Sequence, residues 1–497
     1  MPFEIDYHAL GPEIVLAVTL MAVITVDLLV PRSLKYLTAI TAVVGTTAAF
    51  VPLITLALHD DPVRSMFDGS YVADEFALVM KALFLAAAYL VILMSFDYID
   101  SERFYQGEYY FLLVASTLGA VVMTSARDLI ILFIGLELVS GPLFLLAGWR
   151  KGSVKSNEAS LKFFLLGVLS AAILLYGMSF LYGLTGSVTF EGIREAAISG
   201  DQGPAFTMAI LFVMVGFAFK ISAVPFHFWA PDTYEGAPTP VTAYLSVSSK
   251  AAGFVGLLLV TYLAFPDAAN VWGPALWILA ALTMTVGNLT ALRQTNIVRL
   301  LAYSSVAQAG FMLIPFAIAG VSDTPDQLES AFGATVTYIV IYAFMNLGAF
   351  AVVIAVSRIT RSGLIDSWSG LGARATGLAV LGSIFFLSLA GIPPLAGWFA
   401  KFVVFSAAIS TLNVWTTSLA AIAAVNAVIA FYYYARVVKA MWFDPAPTTA
   451  EREALPIVPR TLQYALAITV AYVLAAGFFP QLSSFFGDAS RMIAAGN

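Results

Sequence analysis

Stretches of about 20 predominantly apolar residues recur along the chain, and each is long enough to cross a membrane as a helix. About fourteen such spans are predicted, over 10–30, 34–58, 75–97, 107–124, 127–149, 158–182, 206–229, 239–265, 272–292, 297–319, 331–356, 377–404, 412–439 and 461–482. No long polar domain separates them, and the longest connections, near 183–205 and 440–460, are short and polar with Gly or Pro. The fold class is therefore an all-α polytopic membrane protein. Leu10–Val30 is read as the first spanning helix and not as a cleaved leader. Glu4 and Asp6 precede it where a leader carries Lys or Arg, and the apolar run is long enough to span.

Two runs are broken by proline. Pro225 has no N–H and frees the carbonyl of Ile221, while Pro393 and Pro394 free those of Leu389 and Ala390. Helices 7 and 12 of the fourteen are thus predicted to be discontinuous. Each carries a lysine, and the two breaks lie about 170 residues apart, a pattern that predicts an internal duplication. The units would be helices 4–8 (107–265) and helices 9–13 (266–439), between an N-terminal three-helix segment (1–106) and a C-terminal helix 14 (440–497). Five is an odd number, so the two copies must be inverted in the membrane. Inverted repeats with broken helices are typical of ion-coupled transporters, with the site at the repeat interface.

Composition narrows the chemistry. The 497 residues are 60% hydrophobic and 11% charged, with a mean hydropathy of +0.90. A net charge of −6 offers nucleic acid no footing. The absence of cysteine excludes iron–sulfur clusters, disulfides and thiolate metal sites. Three histidines, His8, His59 and His227, with only the last inside a span, exclude a bis-histidine haem. The chain is expected to carry no redox centre, cofactor or metal of its own.

Basic residues set the predicted orientation. Behind odd-numbered spans lie Arg32, Lys35, Arg103, Arg150, Lys151, Lys155, Arg293, Arg299, Arg358, Arg361, Arg374, Arg436, Lys439, Arg452 and Arg460. The opposite side has only Arg64, Arg127, Arg194 and Arg491. The excess places the odd loops in the cytoplasm and both termini outside. The remaining cations, Lys81, Lys162, Lys220, Lys250 and Lys401, fall inside spans, and every one is lysine.

A lysine in hydrocarbon costs several kcal/mol on most scales and by default marks function. Glu137 lies about ten residues into its span, near mid-membrane, with Pro142 five residues on. It is satisfied in a pair with a neighbouring cation, or exchanges a proton with it; the two are compatible. Lys162, early in its span, is able to snorkel to the interface. Lys220 is deeper, just ahead of the Pro225 break, and His227 follows, as a satisfied core residue or as a proton relay. Asp232 and Glu235 occupy the stretch WAPDTYEGAPTP, read as a stiff turn facing the cytoplasm, where carboxylates are ordinarily solvated or else mark proton entry. Lys250 sits roughly 15 Å deep with no spanning carboxylate near it in sequence. Burial disfavours the charged form of an amine, so such a lysine is able to pass between charged and neutral forms, as a proton carrier must. Lys401 follows the second break by two turns. Lys81 lies outside both units and is assigned a structural or partner-facing role. Asp27 and Asp97 are taken as interfacial, and Tyr432, Tyr433 and Tyr434 as an interfacial aromatic belt.

Four segments carry a family resemblance: LIILFIGLELVSGPLFLLAG (129–148), EASLKFFLLG (158–167), FKISAVPFHFWAPDTYEGAPTPVTAYLSVSSKAAGF (219–254) and GIPPLAGWFAKFVVF (391–405). They resemble subunit N of the bacterial proton-pumping NADH:quinone oxidoreductase, respiratory complex I, over nearly the whole chain. WAPDTYEGAPTP is the most specific part, separating subunit N from its paralogues L and M and from related Na⁺/H⁺ antiporter subunits. Lysine at 401 fits subunit N, since subunit M has glutamate there. The resemblance implies one of three antiporter-like proton channels in the membrane arm of a bacterial plasma-membrane complex. NADH, FMN, iron–sulfur clusters and quinone would belong to other subunits, and the partners would be neighbouring membrane-arm subunits. It implies Glu137 and Lys220 as an ion pair, Lys162 as its neighbour, Lys250 as the central carrier, Lys401 on the exit side and His227 as a usual member of the motif. Two other classes stay open: a subunit of a multi-subunit cation/proton antiporter, and a non-catalytic scaffold with relic lysines.

Overall fold

The computed structural model describes residues 5–59, 63–101, 106–199, 203–322, 324–446 and 457–490. Of the basic residues used for orientation, Arg103, Arg452 and Arg491 lie outside that set. Helix α1 (Gly11–Leu29) is followed by α2 (Tyr36–Ala48) and α3 (Phe50–Ala57), then by a hairpin of β1 (Arg64–Met66) and β2 (Tyr71–Ala73) that hydropathy did not predict. Next come α4 (Glu75–Ser101), α5 (Gln106–Thr124), α6 (Leu129–Ala147), α7 (Val154–Thr185) and α8 (Phe190–Ser199), the last within the expected 183–205 connection. The first broken region comprises α9 (Pro204–Lys220), α10 (Trp229–Gly236), α11 (Thr239–Tyr244), a π-helical turn (Leu245–Ser249) and α12 (Lys250–Leu259). Then follow α13 (Ala269–Ala291), α14 (Ile297–Ala319), α15 (Pro325–Thr360) and the single turn α16 (Leu371–Arg374). The second broken helix is α17 (Thr376–Ala390) plus α18 (Ala396–Ser410), followed by α19 (Val414–Phe443), α20 (Arg460–Phe478) and α21 (Gln481–Ala489).

Among the described residues twelve helices are long and apolar enough to cross a membrane; α9, α17 and α18 are shorter apolar helices. Polar residues just outside the apolar runs start several of them. Asp128, Ser153, Asn296, Thr324 and Asn413 each accept a hydrogen bond from a backbone N–H of the first turn, satisfying a donor that the helix itself leaves orphaned. The layering is concentric. Helices α4, α14, α15 and the α11–α12 segment are buried almost throughout, while α1, α2–α3, α13 and α19 show most of their apolar surface outward. Helix α15 is the central post, packed against α4, α11, α14, α17, α18, α20 and α21.

Two expectations change. The stretch WAPDTYEG is a two-turn helix, α10, and not a turn. Its Pro231 is the third helical residue, where a missing N–H costs no helical bond. Tyr432 is exposed, but Tyr433 and Tyr434 are fully buried, so the triplet is no interfacial belt; successive helical residues point about 100° apart and cannot share a face. Of the two roles expected of Lys81 the structural one is supported, since it is fully buried and 2.7 Å from Glu13. The Tyr71 hydroxyl donates to Glu13 Oε1 at 2.6 Å, and Lys81 Nζ donates to that hydroxyl at 2.8 Å. Asp27 pairs with Lys35 at 2.8 Å and Asp97 accepts from Thr461 at 2.9 Å.

Candidate functional site

Helix α9 stops at Lys220, whose side chain is 4% exposed. The chain then turns through residues 221–228, with Ser222 at φ +60°, before α10 begins. Trp229 seals this break: its ring stacks on Phe163 of α7, and its Nε1 donates to the carbonyl of Phe219 at 3.0 Å. Lys220 Nζ reaches back to α6, 3.0 Å from Glu137 Oε1 and 2.6 Å from Ser140 Oγ. Helix α6 runs unbroken through Pro142, and Glu137 and Ser140 are one turn apart on its face. Of the pair the lysine is enclosed and the glutamate side chain is 30% exposed, so the carboxylate lies toward the outer surface of the chain.

The carboxylates of α10 face α7 and α14. Asp232 accepts from Lys162 and Arg299, both at 2.8 Å, and Glu235 accepts from Arg299 at 2.9 Å and Lys155 at 3.2 Å. Lys162 also pairs with Glu158 at 2.6 Å. Its side chain is 43% exposed, and among the described residues it pairs with Asp232 and Glu158 and not with Glu137. Asp232 and Glu235 are therefore part of a cation–carboxylate network and are not simply solvated. His227 is buried in the break, and among the described residues its Nδ1 has no hydrogen-bond partner.

Lys250 stands immediately after the π-helical turn, a form of helix that recurs at functional sites. Its side chain is buried, and Nζ donates to the carbonyl of Ser305 in α14 at 2.6 Å, with no carboxylate partner among the described residues. Helix α12 lies close on the end of α9. A side-chain carbon placed on Gly253, one turn past Lys250, would sit 3.1 Å from Lys220 Cβ.

From Ser305 a run of neutral polar groups continues. Tyr342 donates to Ser305 Oγ at 2.9 Å, and Tyr338, one turn earlier on α15, donates to Gln308 Oε1 at 2.6 Å. Gln308 Nε2 donates to the Leu389 carbonyl at 3.0 Å and lies 3.5 Å from the Tyr434 hydroxyl, which in turn bonds Ser304. Asn346 donates to Ser246 Oγ at 2.7 Å. Lys401 of α18 completes the run: Nζ donates to the Ala390 carbonyl at 2.6 Å and lies 3.5 Å from that of Leu389. These are the two acceptors that Pro393 and Pro394 deprive of N–H partners. Lys401 also lies over the Phe311 ring, 5.1 Å from its centroid.

The fold thus brings Lys250 and Lys401 to two hydrogen-bonded groups on α14, one at Ser305 and one turn on at Gln308, and sets Lys220 with Glu137 beside the first. Among the described residues no hydrogen bond joins His227 to these lysines. Sequence reasoning did not single out Ser304, Ser305, Gln308, Tyr338, Tyr342 or Asn346, and took Tyr434 for part of an interfacial belt. Their signal was there as helical spacing, with Ser304 and Gln308 four apart and Tyr338, Tyr342 and Asn346 at successive intervals of four inside otherwise apolar helices.

Residues 126–429 match the family model described as NADH:quinone oxidoreductase/Mrp antiporter, transmembrane. The chain is similar to NADH-quinone oxidoreductase subunit N 2 of Streptomyces griseus subsp. griseus, 44% identical and covering 95% of this chain and 90% of the relative. Among solved structures it is similar to a chain of respiratory complex I from Thermus thermophilus with bound aureothin. The TM-score is 0.76 at 31% identity, over 95% of this chain and 98% of that one. A chain of the Mrp complex from a Dietzia species shares the fold, with a TM-score of 0.83 at 19% identity over 99% of each.

Proposed function

The chain belongs to the NADH:quinone oxidoreductase/Mrp antiporter transmembrane family, among the subunits N of NADH-quinone oxidoreductase, and from that premise we propose that it moves protons across the membrane along its buried lysine axis. It acts as a membrane subunit of the translocase, beside other membrane-arm subunits, while those outside this chain pass electrons from NADH to quinone. The observation that carries the reading is the pair Lys250 and Lys401. Both amines are buried, neither has a counter-ion among the described residues, and each is held by hydrogen bonds beside neutral polar groups of α14, Lys250 at the Ser305 carbonyl and Lys401 at a carbonyl it shares with Gln308. A buried amine kept without a carboxylate is costly as mere scaffolding and useful as a group that gains and loses a proton.

Protons enter by the Asp232, Glu235 and Lys162 network and reach Lys220, whose pairing with Glu137 holds or releases a proton. Release passes it to Lys250 and on, by way of the Gln308 cluster, to Lys401; His227 serves the first transfer. Waters bridge the gaps, as the polar lining permits. The groups titrate as one coupled set. The two broken helices, α9–α10 and α17–α18, are matching parts of inverted units over 107–265 and 266–439, and the basic loops face the cytoplasm of a bacterial cell.

A second reading, a subunit of a cation/proton antiporter, draws on the fold shared with the Mrp chain. It predicts that the chain co-purifies without a quinone-reducing module. The test of the main reading is Lys250→Ala in vesicles carrying the assembled complex, with proton pumping and quinone reduction measured together. Normal assembly with a joint fall in pumping and coupled turnover is expected. Persistence of both at wild-type rates removes Lys250 from the path.

A further inference from the structure

The ends of three helices meet at one edge of the molecule. The segment after α6 contributes Arg150, the start of α11 contributes Thr239, and the end of α15 contributes Ser357, Arg358 and Arg361. Between them lies a cavity of about 370 Å³, open to the surface, with three arginines in its lining and no carboxylate. Arg150 is fixed in place: its guanidinium bonds the Tyr98 hydroxyl and lies 5.5 Å from the ring centroid, and the Thr239 N–H donates to the same hydroxyl at 3.3 Å. The guanidiniums of Arg358 and Arg361 have no hydrogen bond or ion pair among the described residues, unlike Arg299, which serves two carboxylates.

Cations at a helix C-terminus are ordinarily explained by the helix dipole. That accounts for Arg358 and Arg361 taken singly. It does not account for Arg150, brought from a segment some 200 residues earlier to the same cavity. Nor does it account for the backbone at Arg361, which sits at φ +50°, a conformation that glycine or asparagine adopts at far lower cost at the end of a helix. Retaining arginine there keeps a guanidinium at the rim. The cavity also lies on the side carrying the excess of basic loops, where anionic lipid headgroups concentrate.

We propose that this cavity binds a phosphate-bearing anion, with the three guanidiniums as the charge and the hydroxyls of Thr239 and Ser362 as further donors. The ligand is a phospholipid headgroup or a soluble phosphate, and one experiment separates the two. The delipidated intact complex is treated with the arginine reagent phenylglyoxal, and modification at each arginine is followed by peptide mass spectrometry. Phosphatidylglycerol, phosphatidylcholine and inorganic phosphate are added in separate arms. Arg460, exposed and remote in sequence, is the control.

At a ligand concentration ten times the dissociation constant, about a tenth of the sites stay open, so modification of Arg358 and Arg361 should slow about tenfold. Protection by phosphatidylglycerol alone assigns a lipid; protection by inorganic phosphate as well assigns a soluble anion. Equal rates in all arms overturn the proposal, and so does failure of either arginine to react in the anion-free complex. As a second measurement, the complex carrying Arg358→Gln and Arg361→Gln should lose the protection at Arg150. If Arg150 remains protected to the wild-type extent, the three do not form one site.

Discussion

Lys401 is assigned a proton-carrying role, yet it also holds the backbone together where α17 ends. Replacing it by methionine preserves the apolar stem and removes the donor to two carbonyls. That of Leu389 keeps a partner, since Gln308 Nε2 lies 3.0 Å away. That of Ala390 does not, because the N–H that would normally reach it belongs to residue 394, a proline. One buried acceptor is orphaned, at a cost of about 1–3 kcal/mol. The equilibrium between the closed break and its locally opened form should shift by about 5-fold to 150-fold. Hydrogen–deuterium exchange over 385–400 in the purified complex reads this directly, and the rest of the chain serves as its own reference. Unchanged exchange there in Lys401→Met would refute the claim that the amine caps the break. Lys401→Arg separates the two duties. Arginine still donates but does not give up its proton, so protection should return while pumping stays lost. An arginine variant that pumps at the wild-type rate would show that no proton passes through residue 401.

Glu137→Gln keeps the shape of the partner of Lys220 and removes its charge; coupled turnover and pumping should fall about tenfold or more in a normally assembled complex, and wild-type pumping would rule the pair out of the path. Lys81→Met leaves Glu13 buried without its cation and should destabilise by about 3–5 kcal/mol, visible as less assembled complex and a shorter half-life on warming. Combining it with Glu13→Leu should restore most of that loss, and a double variant as unstable as the single one would contradict the pairing. Gly397→Ala would put its methyl 1.8 Å from the Ser388 carbonyl, forcing α17 and α18 apart at a cost of about 1–3 kcal/mol; exchange over 385–400 equal to wild type would show that the close approach is dispensable.

What could be read from the amino-acid order follows from how loudly each residue speaks. Proline at 225, 393 and 394 removes donors outright, so the ends of α9 and α17 were predictable. Lys220, Lys250 and Lys401 were conspicuous because charge in an apolar run has few cheap explanations. Ser305, Gln308, Tyr342 and Asn346 do not interrupt a hydropathy profile, and their partners lie 30 to 126 residues away, the extremes being Tyr338 and Tyr434 from Gln308. Only their helical spacing of three or four residues betrayed them. The same distance hid the Glu13–Lys81 pair, whose carboxylate drew no attention near the chain start. WAPDTYEG misled in the opposite sense: its prolines suggested a stop, but Pro231 falls in a first turn, where proline starts helices as readily as it ends them. The contacts of Lys162 depend on how α10 turns toward α7, which no local pattern specifies.

The enclosed position of α15 bears on how the chain is assembled as it is made. This helix is strongly apolar and long enough to span, so it can enter the bilayer on its own account. Four of the helices that finally cover it, α17, α18, α20 and α21, are synthesised after it. Tyr338, Tyr342 and Asn346 do not have to wait for them, because their hydrogen bonds go to Gln308, Ser305 and Ser246, all of which precede α15 in the chain. A nascent chain that has reached Thr360 therefore already holds the partners for these three groups, and the flank awaiting the later helices can rest against lipid tails in the meantime.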